Sequence, residues 1–234
     1  MSDLSPLPDY SRRHLDADKA RAYRTKFQRN PVRRLSARRE RALVRRALAG
    51  ALELVPAERR AAPTILDYPC GAGRFAPLIA AAAGGGYVAG DHSPHMVELT
   101  AAALAEAGLA ERLARRVVGD ARTMELEEDA VDVACCMRLL HHFPERADRL
   151  AILGQLRRVS RGPAVTSFLD GASFKQRRHL AKRARQGKPS RRVLVTPAAF
   201  EAEAREAGWS VAGTWALSGL FSGQRVALLA PCPA

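Results

Sequence analysis

The pattern that most constrains the fold is an alternation of short apolar runs with helix-like stretches, which begins at Thr64. "TILDY" (64–68) leads through a glycine-containing turn into "FAPLIAAAA", and "GGGYVAGD" leads through Ser93-Pro94 into another helix-like stretch. Repeated strand–helix units predict a parallel, doubly wound sheet. Ligands of such sheets bind outside the carboxyl ends of the strands. The residues that follow each predicted strand are therefore the candidate site.

The remainder of the chain extends the same sheet. A Ser-Pro pair and a later glycine frame a helix over Pro94–Ala107, as caps of this kind do. We expect an α/β fold with a Rossmann-like, doubly wound sheet of seven strands, mostly parallel with the last strand antiparallel. The later strands are predicted at "RRVVGD", "AVDVACCM", "PAVTSF", "WSVAGTWAL" and "GQRVALLA", and the later helices at Pro144–Val159, Phe174–Arg185 and Pro197–Ala207.

Ahead of this core the sequence predicts a helical extension. Asp16–Phe27 and Ala37–Leu54 both have helical patterns, and Pro31 separates them. The second stretch has an apolar stripe opposite arginines, which is typical of an amphipathic helix. We expect residues 1–60 to form an N-terminal helical extension or lid. Residues 61–234 would then form the main domain, with a basic insertion at residues 172–192.

The positive charge of the chain lies mainly in two segments. The formal net charge is +14, and Arg12–Arg46 holds 14 lysines and arginines against three acids. Ala172–Arg192 holds nine basic residues and no acid. Such segments suit phosphate, nucleic acid, anionic lipid or an acidic substrate. A general preference for arginine explains the excess equally well, since arginine and alanine are abundant throughout.

Targeting and metal signals are absent from the sequence. No apolar run approaches the roughly 18 residues of a membrane span, and the first 20 residues lack the apolar core of a secretory signal. The four cysteines have no metal-ligand spacing, and His92 and His95 resemble a metal pair only superficially. We expect a cytoplasmic protein with no membrane span, no disulfide framework and no metal.

The turn "DYPCGAGR" (67–74) admits more than one nucleotide ligand. A phosphate-binding P-loop needs Lys-Ser or Lys-Thr after its last glycine, but Arg74 and Phe75 stand there. A dinucleotide remains open, because Gly71, Gly73 and Ala76 match GxGxxA and an acid ends the second strand. S-adenosylmethionine (SAM) is the third alternative, which the later motifs favour.

Four motifs in order resemble those of the class I SAM-dependent methyltransferases often called type 11. "ILDYPCGAGRFAPLI" is similar to the first motif, which usually reads hydrophobic-Leu-Asp-x-Gly-Cys-Gly-x-Gly. "YVAGDHSPHMVELT", "VVGDA" and "VDVACCMRLLHHF" resemble the segments at the second, third and fourth strands. The resemblance runs from about Thr64 to Phe168, and more loosely to the C-terminus.

This chain departs from the family pattern at two positions. Pro69 replaces the first glycine, which removes one N–H and forces Tyr68 into an extended conformation. Both effects suit the end of a strand. In the second motif the glycine directly precedes Asp91, whereas the family usually has one residue between them.

The resemblance implies SAM as the cofactor and gives each acid a partner on it. Asp67 would meet the ammonium end, Asp91 would accept from both ribose hydroxyls, and Asp120 would accept from the adenine amino group. Side chains at the two glycines of the turn would clash with the methionine moiety. The predicted cofactor-binding residues are Asp67, Tyr68, Pro69, Cys70, Gly71, Gly73, Asp91, His92, Met96, Asp120, Ala121, Met137, Arg138 and Leu139.

The methyl acceptor is the least constrained part of the prediction. Methyl transfer needs an in-line nucleophile, and a base only where that nucleophile must lose a proton. His141 and His142 lie at the correct end of the sheet to act as that base, but we favour the alternative, in which the pair is a packing and capping feature before Pro144. We expect a small-molecule or lipid-intermediate acceptor that is anionic or hydroxylated and is methylated on oxygen. An RNA acceptor bound by the basic segments is the alternative, and the sequence indicates no oligomeric state.

Overall fold

The computed structural model describes residues 31–187, 192–218 and 222–233, together with Pro6 and Asp16. The predicted helix Asp16–Phe27 lies almost entirely outside these residues. The strands are β1 Thr64–Asp67, β2 Gly86–Asp91, β3 Leu113–Val118, β4 Val133–Cys136, β5 Ala164–Leu169, β6 Trp209–Ser218 and β7 Ser222–Pro231. The α-helices are α1 Pro31–Leu54, α2 Ala57–Arg60, α3 Ala76–Ala80, α4 Pro94–Glu106, α5 Arg146–Val159, α6 Phe174–Arg185 and α7 Pro197–Glu206.

The seven strands form one sheet in the order β3-β2-β1-β4-β5-β7-β6. The pairs from β3 to β5 are parallel, and β7 is antiparallel to both β5 and β6. This confirms the predicted doubly wound sheet with its last strand antiparallel. The strand order reverses at β1, which pairs with β2 on one side and with β4 on the other. Ligands of open α/β sheets bind at such a reversal.

Successive residues of each strand supply two apolar layers, one on each face of the sheet. Cys136 packs in one layer with Phe168 of β5, Ile152 of α5 and Phe200 of α7. Its neighbour Cys135 points to the other face, as the alternation of a strand requires. That second layer contains α1 and α3.

Helix α1 contributes directly to the second layer. It starts at Pro31, six residues before the predicted start, because proline is well tolerated in the first turn of a helix. Its buried residues Val44, Ala47, Leu48 and Ala51 recur every three to four positions and pack against the sheet. Helix α1 therefore belongs to the core, while the division of the chain at residue 60 stays a prediction.

The predicted basic insertion contains helix α6, which begins and ends where the sequence indicated. It follows β5 and packs near the start of β7, at the edge of the sheet where the parallel strands end. No helix in the described part of the chain is both long and apolar enough to cross a membrane.

Candidate active site

A cleft of about 100 Å³ opens at the carboxyl ends of β1, β2 and β4. It therefore lies where the strand order reverses. Residues from the glycine turn, from the ends of β2 and β4, and from the loop after β3 form its walls. They are Tyr68, Pro69, Cys70, Gly71, Ala72, Arg74, Phe75, Asp91, His92, Met96, Asp120, Ala121, Met137, Arg138, Leu139 and Phe143.

The glycine turn after β1 is fixed by backbone bonds and by helix α4. The N–H of Cys70 donates to the carbonyl of Gly90 at 2.7 Å, and the hydroxyl of Thr100 donates to the carbonyl of Gly71 at 2.8 Å. Gly71 has φ +56°, and a Cβ built on it meets no atom within 4 Å. Gly71 therefore borders open space in the cleft.

Gly73 has a different role in the turn. Its φ is +74°, and a Cβ there would stand 2.6 Å from the Cβ of Ala103 on α4. Gly73 does not line the cleft. Glycine is needed at this position for close packing on α4 and for the left-handed backbone conformation.

Asp91 ends β2 with both carboxylate oxygens already bound once. Oδ2 accepts from the N–H of Gly71 at 2.9 Å, and Oδ1 accepts from the N–H of Ser93 at 3.0 Å. Burial raises the pKa of Asp91 to about 6, although the two N–H bonds oppose this rise. Each oxygen keeps a lone pair for a further donor. The carboxylate can therefore accept from two neighbouring hydroxyls.

Asp67 lies beneath the cleft and does not line it. Its Oδ2 accepts from the hydroxyl of Tyr87 at 2.8 Å, while its Oδ1 is buried and has no hydrogen-bond partner among the residues that the structure describes. Burial raises the pKa of Asp67 to about 7; the bond from Tyr87 opposes the rise and the charge of Asp91 adds to it. A buried carboxyl with an unsatisfied oxygen is suited to a cationic or hydrogen-bonding ligand above it.

Asp120, in the loop after β3, is held by an arginine two residues later. The Nε and Nη2 of Arg122 donate to Asp120 Oδ2 at 3.0 and 2.6 Å, and the backbone N–H of Arg122 donates to Oδ1 at 2.9 Å. Burial alone would raise the pKa of Asp120, but the bonds from Arg122 outweigh it and lower that pKa. Asp120 is therefore a fixed, ionised acceptor in the cleft wall.

Two cleft arginines share one buried carboxylate from helix α1. Glu40, whose side chain is 2% exposed, pairs with Arg74 at 2.5 Å and with Arg138 at 3.2 Å. Arg138 has φ +64°, an uncommon conformation for a residue other than glycine, and its backbone N–H donates to the hydroxyl of Ser167 at 2.8 Å. Helix α1 is thereby tied to two sides of the cleft.

His141 and His142 lie behind the cleft, in a short 3-10 helix after β4. Their ring centroids are 4.2 Å apart, and neither residue lines the cleft. His141 is 2% exposed, and neither of its ring nitrogens has a hydrogen-bond partner within the described part of the chain. The pKa of His141 lies well below its ordinary value, mainly because the ring is buried. It is lowered further by the charges of His142, Arg138 and Arg192. His142 is partly exposed.

The structure brings together all the predicted cofactor residues except Asp67 and Gly73. It adds Ala72, Arg74, Phe75 and Phe143, which lie within the quoted motif segments but were not assigned to the cofactor. Glu40 was also missed. Its one signal is that it is the single acid in the arginine-rich run from Arg33 to Arg46. Among the described residues, no group of three or more His, Cys, Asp or Glu side chains could hold a metal ion.

The sheet order and the cleft define a class I, SAM-dependent methyltransferase fold. Residues 65–162 match the family model described as a methyltransferase domain. Residues 65–162 therefore form a methyltransferase domain, and the chain has the fold of solved SAM- and SAH-bound methyltransferases. No curated protein sequence matches the chain significantly.

Solved structures share this fold at low sequence identity. Magnesium protoporphyrin IX methyltransferase from Synechocystis PCC 6803, with bound S-adenosylhomocysteine (SAH), is similar with a TM-score of 0.71 and 16% identity, over 95% of this chain and 98% of that one. The same enzyme with bound SAM gives a TM-score of 0.68 and 15% identity, over 98% and 100% of the two chains. A possible histamine N-methyltransferase from Thermotoga maritima has a TM-score of 0.59 and 14% identity, over 93% of this chain and 99% of that one.

The residues of the cleft fit SAM. The space beside Gly71 is open to the cleft, and Asp67, the neighbour of the cleft residue Tyr68, has one buried oxygen without a hydrogen-bond partner among the described residues. Asp91 retains acceptor capacity on both of its oxygens, which matches a ribose diol.

Proposed function

We propose that the chain transfers the methyl group of SAM to an oxygen of a small acceptor that is anionic or hydroxylated. The observation that carries this proposal is the polarity of the cleft. Its acids, Asp91 and Asp120, lie at the ends of β2 and β3, while its arginines, Arg74 and Arg138, lie at the glycine turn and the end of β4. The acidic part suits hydroxyl and amino donors, and the basic part suits an anion.

We assign the adenosine half of SAM to the acidic part of the cleft. Asp91 would accept from both ribose hydroxyls, and Asp120 would accept from the adenine amino group while the N–H of Ala121 donates to the ring. His92 and Met96 would flank the ribose and the adenine. The remaining assignments, at the methionine moiety and the sulfonium, are Asp67, Tyr68, Pro69, Cys70, Gly71, Met137, Arg138 and Leu139.

The two arginines support an anionic acceptor. Arg74 and Arg138 each carry a positive charge at this end of the cleft, and both pair with Glu40. The buried carboxylate holds both guanidinium groups at the cleft. A carboxylate on the acceptor, or that of the cofactor itself, would complement this charge.

The chain's residues contribute mainly alignment to the reaction. Bound SAM supplies an electrophilic methyl group that a nucleophile attacks in line. Met137 and Leu139 would limit the space beside it, so that the acceptor oxygen is held in line with that methyl group. Of the two predicted bases, His141 is buried with a lowered pKa, and His142 is the more accessible, although neither residue lines the cleft.

A binding and transfer experiment tests the proposal. The wild type is expected to bind SAH, and to transfer a labelled methyl from SAM to carboxylate-bearing or phenolic compounds in a screen. Arg138→Gln is expected to raise the KM of the acceptor with little change in the Kd of SAH. If Arg138 instead holds the carboxylate of the cofactor, Arg138→Gln weakens the binding of SAH. It then leaves the binding of 5′-methylthioadenosine unchanged, because that compound lacks the amino-acid part. A wild type that binds neither SAM nor SAH contradicts the proposal.

RNA is the second candidate acceptor, and exposed arginines favour it. Arg34, Arg38, Arg41 and Arg45 of α1 are all exposed and follow one another at helical spacing. Helix α6 adds exposed arginines near the edge of the sheet that holds the cleft. If RNA is the acceptor, its affinity should fall steeply with salt, and reversing the charges of Arg38 and Arg41 should reduce that dependence. Salt-independent methyl transfer excludes this alternative.

A further inference from the structure

A buried ion network links the cleft wall to helix α5. At its centre is Arg122, whose side chain is 4% exposed. Besides its bonds to Asp120, Arg122 donates from Nη1 to Oδ1 of Asp148 at 2.8 Å. The side chain of Asp148 is 2% exposed and lies in the first turn of α5. One arginine thus joins two carboxylates, of which only Asp120 lines the cleft.

The network fixes the orientation of the Asp120 carboxylate. The Nε of Arg122 reaches both oxygens, at 3.1 and 3.0 Å, and the backbone N–H adds a further bond to Oδ1. A fork of this kind fixes the plane of a carboxylate as well as its charge. Asp120 can therefore present only acceptor lone pairs to the cleft, and it cannot turn without breaking these bonds.

Asp148 fixes Arg122 in turn. The positive end of a helix dipole favours an acid in the first turn, which suits the buried charge of Asp148. The guanidinium of Arg122 also lies 5.4 Å from the ring centroid of Phe143, another residue of the cleft wall. Arg122 is therefore held on two further sides, and any movement of Asp148 would be transmitted to Asp120.

We propose that Arg122 and Asp148 are positioning residues that fix Asp120 and so make the cleft select a 6-amino purine over a 6-oxo purine. This inference rests on the proposed placement of adenine between Asp120 and the N–H of Ala121. Adenine presents a donor at its amino group and an acceptor at N1. Hypoxanthine presents an acceptor at O6 and a donor at N1, so both bonds are mismatched. A fixed carboxylate cannot shift to accept from that N1 donor.

The experiment compares the affinities of SAH and S-inosylhomocysteine by calorimetry. The wild type should prefer SAH by roughly 10- to 100-fold, because the mismatched base leaves polar groups unpaired. Asp148→Asn and Arg122→Lys should each narrow that preference by at least about fivefold, since lysine lacks the bidentate fork. Glu127→Gln is the matched control. It removes one charge from an exposed pair with Arg115 and should leave the preference unchanged.

The ratio of the two affinities separates positioning from a merely structural role. A variant that only loosens the fold weakens the binding of both ligands alike, so the ratio of their affinities stays at the wild-type value. If the folded variants keep the wild-type ratio of the two affinities, the inference is overturned. It is also overturned if the wild type binds SAH and S-inosylhomocysteine equally. In both cases SAH still binds, so the proposed function stands. Thermal melts identify folded variants, and Arg122→Lys carries the test where Asp148→Asn does not fold. A wild type that binds neither ligand overturns the proposed function as well.

Discussion

The ring of Tyr68 lies against the backbone of Gly90 so closely that a Cβ at position 90 would stand 2.1 Å from the ring carbon Cδ2. The tyrosine is buried, and its hydroxyl donates to the carbonyl of Gly119 at 2.5 Å. The ring therefore crosses the end of β2 beneath the cleft. This contact gives a physical reason for the glycine that directly precedes Asp91 in this chain.

The first prediction is that Gly90→Ala destabilises the protein through this contact. A methyl group cannot fit beside a ring that is held at both ends, so we expect a loss of about 1–3 kcal/mol in the free energy of unfolding. In a Tyr68→Ala background the same substitution should cost less than about 0.5 kcal/mol, because the obstructing ring is gone. Urea denaturation of the four proteins of this cycle measures the coupling. If Gly90→Ala costs the same free energy of unfolding in both backgrounds, the ring of Tyr68 is not what obstructs the added methyl group.

The sequence predicted the sheet because each strand is short, apolar and followed by a clear helix signal. It also indicated the cleft, since the residues after parallel strands meet at one edge. It could not indicate the ion-pair partners of Glu40 and Asp148, because ion pairs between residues distant in the chain leave no local pattern. Nor could it show that Gly73 packs on α4 while Gly71 borders the cleft, since both glycines have positive φ in the same turn.

The second prediction concerns Asp67 and the stability of the protein. Its folded-state pKa of about 7 lies above the ordinary value of 3.8, so the ionised form is disfavoured by folding. Stability is therefore lost as the pH rises from about 4 to about 7. Asp67→Asn removes this charge and should raise the Tm by several degrees at pH 8 and by much less at pH 5.

Thermal melts of the wild type and Asp67→Asn at several pH values, without ligand, measure this difference. Glu206→Gln is a control for loss of an exposed carboxylate. A gain of the same size at pH 5 and pH 8 would show that Asp67 is not the group responsible.

The third prediction concerns the pH dependence of cofactor binding through Asp91. The ionised carboxylate is the acceptor for the ribose, and burial raises its pKa to about 6. Protonation below that pH removes acceptor capacity, so the affinity for SAH should fall by about tenfold between pH 7 and pH 5. Calorimetry in the Asp67→Asn background isolates this effect, because Asp67 titrates in a neighbouring range.

The double variant Asp67→Asn, Asp91→Asn serves as the control. A fall in SAH affinity that persists in this variant does not come from Asp91. A constant affinity down to pH 5 in the Asp67→Asn protein would exclude Asp91 as the ionised acceptor.

The fourth prediction concerns Glu40, which links helix α1 to the cleft. Glu40→Gln keeps the size of the side chain but leaves Arg74 and Arg138 without their shared carboxylate. Removing one partner of a buried ion pair costs about 3–5 kcal/mol, and we expect the lower end because the Arg138 side chain is 25% exposed. The matched control on the same helix is Glu53→Gln, at an exposed position, which should change stability by less than about 0.5 kcal/mol.

The same variant separates a role in stability from a role in binding. Both arginines line the cleft, so the loss of their shared carboxylate should also lower the affinity for SAH. That affinity is measured at a temperature well below the Tm. Glu53→Gln should leave that affinity unchanged. If Glu40→Gln lowers the Tm but binds SAH as tightly as the wild type, Glu40 stabilises the packing of α1 without shaping the cleft. If it changes neither quantity, the buried pairing of Glu40 with the two arginines does not stabilise the protein in solution.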